Sequence, residues 1–101
     1  MDFVIVIYNI TKAFPSTEAF GLTSQMRRAS ISIPSNIAEG AGRKGSKEFV
    51  RFFIALGSLS EVETQLEIAE RLQYCNKIEE VNRQIYFIRS MLSNLIKRLN
   101  T

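Results

Sequence analysis

Apolar residues recur every three or four positions along most of this chain, which is the spacing of a helix with one buried face. The pattern is clearest near the C-terminus, at Ile78, Val81, Ile85, Ile88, Leu92, Leu95 and Leu99. It also runs through a longer segment before that one, at Phe52, Ala55, Leu59, Val62, Leu66 and Ala69. These patterns predict helices over residues 47–72 and 78–99, and the short link between them makes the two helices antiparallel.

The middle of the chain has two apolar faces on one predicted helix. One face holds Leu22, Met26, Ala29, Ile33, Ile37 and Gly40, and the other holds Ile31, Pro34, Ala38 and Ala41. Two local features oppose a helix, because residues 30–33 alternate as a strand would and Pro34 lacks the amide that a helix interior needs. We predict one helix over residues 22–41 that is kinked near Pro34, and a break into two helices is the alternative.

The N-terminal segment has features of both a strand and a helix. Residues 3–10 are rich in valine and isoleucine, which favour strands, but the chain offers no obvious partner strand. Pro15 and the two polar residues after it are typical of a turn that stops a helix, so we predict a short helix over residues 2–14. Together the four segments predict an all-α, antiparallel up-and-down four-helix bundle with a short first helix, formed by a single domain over residues 1–101.

The composition is that of a soluble globular protein, with 46% hydrophobic and 23% charged residues among 101. The longest apolar run, residues 3–8, is far too short to cross a bilayer. We therefore expect no membrane partner and a cytoplasmic location. Cys75 is the only cysteine, which excludes an internal disulfide and suits a reducing compartment.

The residue types also limit the chemistry. No histidine is present, so a histidine-assisted nucleophile is excluded. Carboxylates or lysine would have to serve instead. The candidate carboxylates are Glu39, Glu61 and Glu63, but those of Glu61 and Glu63 point about 200° apart on a helix. The glycine-rich residues 40–45 lack the order of a phosphate-binding loop and are better interpreted as a turn between helices. We expect no enzymatic activity, no metal and no cofactor.

Charge is unevenly distributed along the chain, whose net charge is +3. Residues 27–51 carry an excess of four positive charges, and residues 52–80 carry an excess of four negative charges. Such segregation can serve a basic surface for nucleic acid or a head-to-tail contact between subunits, and two solvated helix faces of opposite sign are a third interpretation. The residues that we expect to contact phosphates are Arg27, Arg43, Lys44, Lys47, Lys97 and Arg98.

Small residues form a narrow strip on the third predicted helix, at Gly57, Ser60 and Thr64. A glycine inside a helix costs about 1 kcal/mol and usually has a packing reason. The strip either allows the backbone of another subunit to approach closely or fills tight places inside one bundle, and the sequence leaves both alternatives open.

Five segments of the chain carry a family resemblance. They are residues 14–15, 20–29 (FGLTSQMRRA), 32–40 (SIPSNIAEG), 47–49 (KEF) and 55–66 (ALGSLSEVETQL). In these segments the chain closely resembles the four-helix bundle proteins encoded in intervening sequences of bacterial 23S ribosomal RNA genes. It is also similar to the accessory variability proteins of diversity-generating retroelements, which look like relatives of that family.

The resemblance implies a bundle that assembles as a homo-oligomeric ring, typically a pentamer, without enzymatic activity. For the retroelement relatives it also implies a basic ring surface that binds nucleic acid and a reverse transcriptase, and a ribosomal component is another partner that it suggests. The polar residues carried over by position are Arg27, Arg28, Ser35, Asn36, Glu39, Arg43, Glu48, Arg51, Ser58, Glu61, Glu63 and Gln65. We interpret them mainly as a polar network between helices and between subunits.

The chain departs from the family in its first helix. Members usually begin with a longer helix that carries a tryptophan, whereas here only fourteen residues precede Pro15 and tryptophan is absent. We therefore expect an exposed apolar patch, or a neighbouring chain, where that helix would cover the core.

Two functions are compatible with these observations. The first is a self-assembling helical bundle that binds RNA, DNA or a nucleic-acid-processing partner through a basic surface. The alternative is a protein-only oligomeric scaffold whose basic and acidic faces satisfy one another, with no nucleic-acid ligand.

Overall fold

Four α-helices make up most of the molecule in a computed structural model, which describes residues 2–42 and 46–99 and their side chains, except those of Ser46 and Lys47. The helices are α1 (Asp2–Thr11), α2 (Leu22–Ala41), α3 (Ser46–Arg71) and α4 (Glu79–Leu99), with a short 3-10 helix at Ser16–Glu18. No strand occurs in the described part of the chain, and no helix there is long and apolar enough to cross a bilayer. The predicted all-α fold is confirmed.

The core is an apolar cluster drawn from all four helices and from the turn after α1. α3 contributes the residues that its spacing predicts, all of them buried: Phe52, Ala55, Leu59, Val62, Leu66 and Ala69. α4 follows its predicted spacing only as far as Leu92, since its next core residue is Ile96, while Leu95 is half-buried and Leu99 is exposed. A straight helix has 3.6 residues per turn, so its buried face drifts away from a strict seven-residue repeat.

α1 ends at Thr11, earlier than the predicted residue 14. The Thr11 hydroxyl donates to the Ile7 carbonyl at 2.9 Å, and the amides of Ala13 and Phe14 each bond a carbonyl three residues back. These tighter bonds close the helix ahead of Pro15, which has no amide to continue it. Phe14 is buried and joins the core.

α2 continues through Pro34, so the predicted single helix is confirmed and the alternative of two helices is wrong, while the kink near Pro34 stays a prediction. Pro34 leaves the Ser30 carbonyl without its usual helical donor. Ser30 and Ile33 are nevertheless fully buried beside it. Packing of this face supplies most of the stability of such a helix and outweighs the missing bond.

Glu18 joins the start of α2 to the end of α3. One carboxylate oxygen accepts a hydrogen bond from the Leu22 amide at 3.4 Å, and the other accepts one from the Tyr74 hydroxyl at 3.0 Å. The Tyr74 ring also packs against Phe14, with ring centroids 5.5 Å apart. The link between α1 and α2 and the link between α3 and α4 are thereby connected at one end of the bundle.

The turn after α3 reverses the chain. Gln73 takes a left-handed conformation with φ of 64°, its amide bonds the Glu70 carbonyl at 2.9 Å, and the Tyr74 amide bonds the Ala69 carbonyl at 2.9 Å. This pair of bonds is the Schellman arrangement that ends many helices. α4 can therefore return antiparallel to α3, as its short link predicts.

Candidate interaction surfaces

A chain of polar side chains connects α2 to α3, and we call Ser32, Asn36, Arg51 and Ser58 the polar ladder. The Ser32 and Ser58 hydroxyls are 2.8 Å apart, and the Asn36 amide nitrogen donates to the Ser32 carbonyl at 2.8 Å and to its hydroxyl at 3.0 Å. The Arg51 guanidinium donates to the Asn36 side-chain oxygen at 3.3 Å. All four residues are half-buried, so these bonds fix the register of two antiparallel helices.

The polar ladder contains three residues of the predicted polar network, Asn36, Arg51 and Ser58. Sequence reasoning missed the fourth, Ser32. Its signal was available, because Ser32 lies four residues before Asn36 and therefore on the same face of α2. Within one chain, these residues serve the contact between helices.

A second polar cluster connects α3 to α4. Arg89 donates to one Glu63 oxygen at 2.8 Å and to the Ser60 hydroxyl at 3.4 Å. Glu63 is a predicted member of the polar network, and its partner in the structure is Arg89 of α4. Both ion-pair side chains are partly exposed, so this bridge contributes little to stability but marks the antiparallel register of the two helices.

Arg27 holds α1 against α2. Its Nε donates to the Thr11 hydroxyl at 2.8 Å, a terminal nitrogen donates to the Tyr8 carbonyl at 3.4 Å, and its guanidinium carbon lies 4.6 Å from the centre of the Tyr8 ring. The guanidinium is thus turned toward α1. Its role as a phosphate contact stays a prediction that this geometry disfavours.

The remaining predicted residues lie in four settings. Arg43, Lys44 and the Lys47 side chain lie outside the described residues. Gln65 is buried, and its Oε1 accepts no hydrogen bond from the described part of the chain. Glu48 is half-buried, and the exposed residues are Arg28, Ser35, Glu39, Glu61, Thr64, Lys97 and Arg98.

α3 also has apolar residues on its solvent side, although its opposite side forms the core. We call this row the α3 stripe: Val50, Ile54, Gly57, Glu61, Thr64 and Ile68. Its members are all exposed, and the aliphatic ones retain 53%, 42% and 45% of their accessible surface in chain order. The positions recur every three or four residues, which is the repeat that packs one helix against another.

Gly57 lies in open space, whereas Gly40 is closely surrounded by other residues. A Cβ built at Gly57 has no described neighbour within 4 Å outside its own stretch of helix. The alternative that Gly57 fills a tight place inside the bundle is therefore wrong. A Cβ at Gly40 would lie 2.8 Å from the Phe52 ring and 3.1 Å from the Arg51 Cβ, so Gly40 is the residue that allows α2 and α3 to approach closely.

A second exposed apolar surface lies on α4 beside α1. Phe87 is 70% exposed, and it borders a groove of about 520 Å³ whose apolar lining includes Phe3, Ile88 and Met91. This is the kind of patch that the short first helix predicts. A second groove further along α4 is also lined by Phe87 and Met91 and reaches Arg98.

Cys75 is a free, half-buried thiol. Burial raises the pKa of the Cys75 thiol, and the charge of Glu70 raises it further, so the thiol is not activated. In residues 2–42 and 46–99 no three acidic or cysteine side chains lie close enough together to hold a metal ion.

These observations define a small all-α bundle protein whose distinctive features are surfaces. The family model described as 23S rRNA-intervening sequence protein matches residues 1–94, and the chain belongs to that family. The resemblance predicted from the sequence motifs is thus confirmed. No curated protein matches the chain.

A solved structure supports the same fold. It is a protein of unknown function from the S23 ribosomal protein family of Bacteroides thetaiotaomicron, which is 27% identical to this chain. The match covers 95% of this chain and 89% of that one, with a TM-score of 0.85. Neither the family description nor this structure's description assigns an enzymatic activity.

Proposed function

We propose that this chain is a non-enzymatic, self-assembling helical bundle whose copies pack through the α3 stripe, and that the assembly binds nucleic acid through a basic surface. The observation that carries the proposal is the two-sided character of α3. Its core side is buried by α2 and α4, yet aliphatic side chains repeat along its solvent side as well. A row of this kind is typical of a helix that another helix covers.

Two members of the α3 stripe support close packing between copies. Gly57 leaves open space where a neighbouring backbone can approach, and Thr64 is small and exposed one repeat further on. Glu61 lies between them and needs a cation if it is covered. Arg28 is exposed on the outer side of α2 and is a suitable counterpart in a neighbouring copy.

A contact between two different patches generates a ring when the rotation closes, which agrees with the homopentamer that the family resemblance implies. The stripe contains a carboxylate and the proposed counterpart contains Arg28, so the two patches differ. Solution mass from light scattering tests this part. A single species of several copies supports the proposal, and a monodisperse monomer contradicts it.

The basic surface is proposed for the end of the bundle where α4 ends. Lys97 and Arg98 are exposed there. Because Arg89 lies opposite Ser60 and Glu63, the antiparallel α4 carries Arg98 to about the level of residue 52, near the start of α3. Arg43, Lys44 and Lys47 precede or begin that helix in the sequence, and we propose that they belong to the same basic surface.

Titration of labelled RNA and duplex DNA at about 50 and about 200 mM salt tests nucleic-acid binding. Phosphate contacts release counterions, so we expect affinity to fall roughly tenfold or more between these salt concentrations. A triple charge reversal of Arg43, Lys44 and Lys47 to glutamate should abolish binding. The matched control reverses Lys12, Arg71 and Lys77, which lie at the other end of the bundle, and should retain most of the affinity.

Absence of binding at the lower salt, or affinity that is indifferent to salt, would contradict the nucleic-acid part and favour the protein-only scaffold. One observation favours that alternative specifically. Arg27, Arg51 and Arg89 are each engaged by polar groups of their own chain, which reduces the cations presented to a ligand. An assembly of several copies that binds neither RNA nor DNA would establish the scaffold.

A further inference from the structure

One side of α4 carries a row of residues that is complementary to the same row on a second copy of the helix lying antiparallel to it. Positions on one flank of the helix, beside its core face, repeat at intervals of four and three residues, in the order Glu80, Gln84, Phe87, Met91, Asn94 and Arg98. We call these six residues the α4 seam. Read from either end, the seam runs from a charge through an amide to an apolar residue, and the two terminal charges have opposite signs.

This order predicts its own partner. If two copies of α4 lie antiparallel with their midpoints together, Phe87 of each copy faces Met91 of the other, and Gln84 faces Asn94. Glu80 faces Arg98 at both ends of the contact. Antiparallel helices with a four-three repeat pack in this register, and each helix N-terminus then also lies beside the other helix C-terminus.

The structure leaves this side of α4 open. Phe87 is 70% exposed, Glu80, Asn94 and Arg98 are exposed, and Gln84 and Met91 are half-buried. The groove between α4 and the start of α1 has a volume of about 520 Å³ and is lined by four of the six seam residues. The lining of the second groove, toward the end of α4, includes Phe87, Met91, Asn94 and Arg98.

The charge of Glu80 allows the pairing. One oxygen of Glu80 contacts Arg83 in an exposed pair within the same helix, and such pairs contribute little. A carboxylate has two oxygens, so Glu80 can hold Arg83 and a second guanidinium together. Acid at the start of α4 and base at its end would repel a parallel partner and attract an antiparallel one.

We propose that two copies of this chain pair through their α4 seams in an antiparallel, twofold-symmetric contact. This contact is separate from the α3 stripe, because the two rows lie on different helices and share no residue, whereas Arg98 belongs both to the seam and to the proposed basic surface. It places a self-complementary patch on the molecule, so that residue 80 of one copy meets residue 98 of the other in both directions.

Site-directed cross-linking tests the geometry in a Cys75→Ser background. Two single-cysteine proteins are made, Glu80→Cys and Arg98→Cys, and oxidised separately and as a mixture. We expect disulfide-linked dimers only in the mixture, since residues 80 and 98 are about 27 Å apart along one helix. The mixed dimer keeps one native ion pair at its other end, so the substitutions do not remove both charges from the contact.

Two further variants connect the cross-link to the seam. Adding Phe87→Glu should reduce the yield of linked dimer at least fivefold. Adding Tyr86→Glu should leave it unchanged, because Tyr86 is adjacent and 73% exposed but lies off the seam. Reversing one charge, with Glu80→Arg or Arg98→Glu, should raise the dissociation constant of the pair about tenfold, and combining both changes should restore it to within about threefold.

Cross-linking of Glu80→Cys with itself would mean parallel pairing and would overturn the proposal. Absence of a cross-link in the mixture would mean that the α3 stripe of another copy or a different protein covers Phe87, and it would overturn the proposal as well. Solution mass separates these failures from failure of the proposed function, since an assembly built on the α3 stripe persists without the α4 contact.

Discussion

Gly40 and Gly57 both lie in helices, but the space around them differs. Gly40 is required by a close approach, since a Cβ there would meet the Phe52 ring at 2.8 Å. Gly57 has open space around it inside its own chain. We expect Gly40→Ala to destabilise the fold by roughly 1–3 kcal/mol through overpacking. Gly57→Ala should stabilise the separated chain by up to about 1 kcal/mol, because alanine is the better helix former.

The free energy of unfolding in urea, measured at a concentration that dissociates the assembly, checks both variants. The two glycines are matched controls for each other, because the same methyl group is added to a helix in each case. Equal effects of the two changes would contradict the packing described for Gly40.

Tyr74 makes stability depend on pH in the alkaline range. Its hydrogen bond to Glu18 is the main cause that raises the pKa of the Tyr74 hydroxyl, with desolvation and the carboxylate charge adding to it. The folded-state pKa is then higher than the unfolded value of about 10. The stabilisation is fully present below that value and is lost as pH rises through the higher folded pKa.

We expect the native protein to lose stability between about pH 9 and about pH 12 more steeply than the Tyr74→Phe variant, which has no hydroxyl to ionise. Denaturation across this range measures the difference, and phenolate absorbance reports the titration directly. Glu18→Gln should lower the pKa of Tyr74 toward its ordinary value. If native and Tyr74→Phe proteins follow parallel stability curves, the Glu18 hydrogen bond does not persist in solution.

At the scale of whole helices, the hydrogen bonds of the polar ladder contribute to the contact between α2 and α3. The Ser32 and Ser58 hydroxyls form its shortest link between the two helices. A double-mutant cycle of Ser32→Ala and Ser58→Ala should give a coupling energy of about 0.5–1.5 kcal/mol, the usual net worth of such a bond. Ser35→Ala is the control, because Ser35 is exposed on α2 and its loss should change stability by less than about 0.5 kcal/mol.

Element boundaries show what local pattern can and cannot predict. α2 begins and ends at the predicted residues because its apolar faces are long and glycines follow it. The predicted end of α1 was wrong, since the Thr11 hydroxyl bonds the preceding carbonyls and the helix closes early. Local spacing also could not assign Arg89 to Glu63, because that pairing depends on how α4 lies against α3.

At the scale of the molecule, the sequence predicted the fold, the family and an exposed apolar patch. It did not predict which residues form the surfaces. The strip of Gly57, Ser60 and Thr64 divides in the structure, because Ser60 turns to Arg89 while Gly57 and Thr64 stay on the α3 stripe. Residues three positions apart point in different directions from a helix. Which of them face solvent can be predicted only when the positions of α2 and α4 are known.

The α3 stripe predicts how assembly responds to one added charge. Ile54→Glu places a carboxylate in the stripe and should reduce the solution mass to at most a dimer, which is the assembly that the α4 seam alone can support. Ile5→Glu makes the same change at a residue of α1 that is 61% exposed and should leave the assembly intact. Unchanged mass of the Ile54→Glu protein would show that the stripe is not a contact between copies.

Because α3 has apolar residues on two sides, the stability of the fold can depend on the cellular concentration of the protein. Chains that associate only when folded gain stability by mass action, so their melting temperature rises with total concentration. Newly made copies at low numbers would therefore be the most exposed to proteases and to irregular association. If copies pack through the α3 stripe as proposed, the amount of protein made per cell determines whether that stripe faces water or another chain.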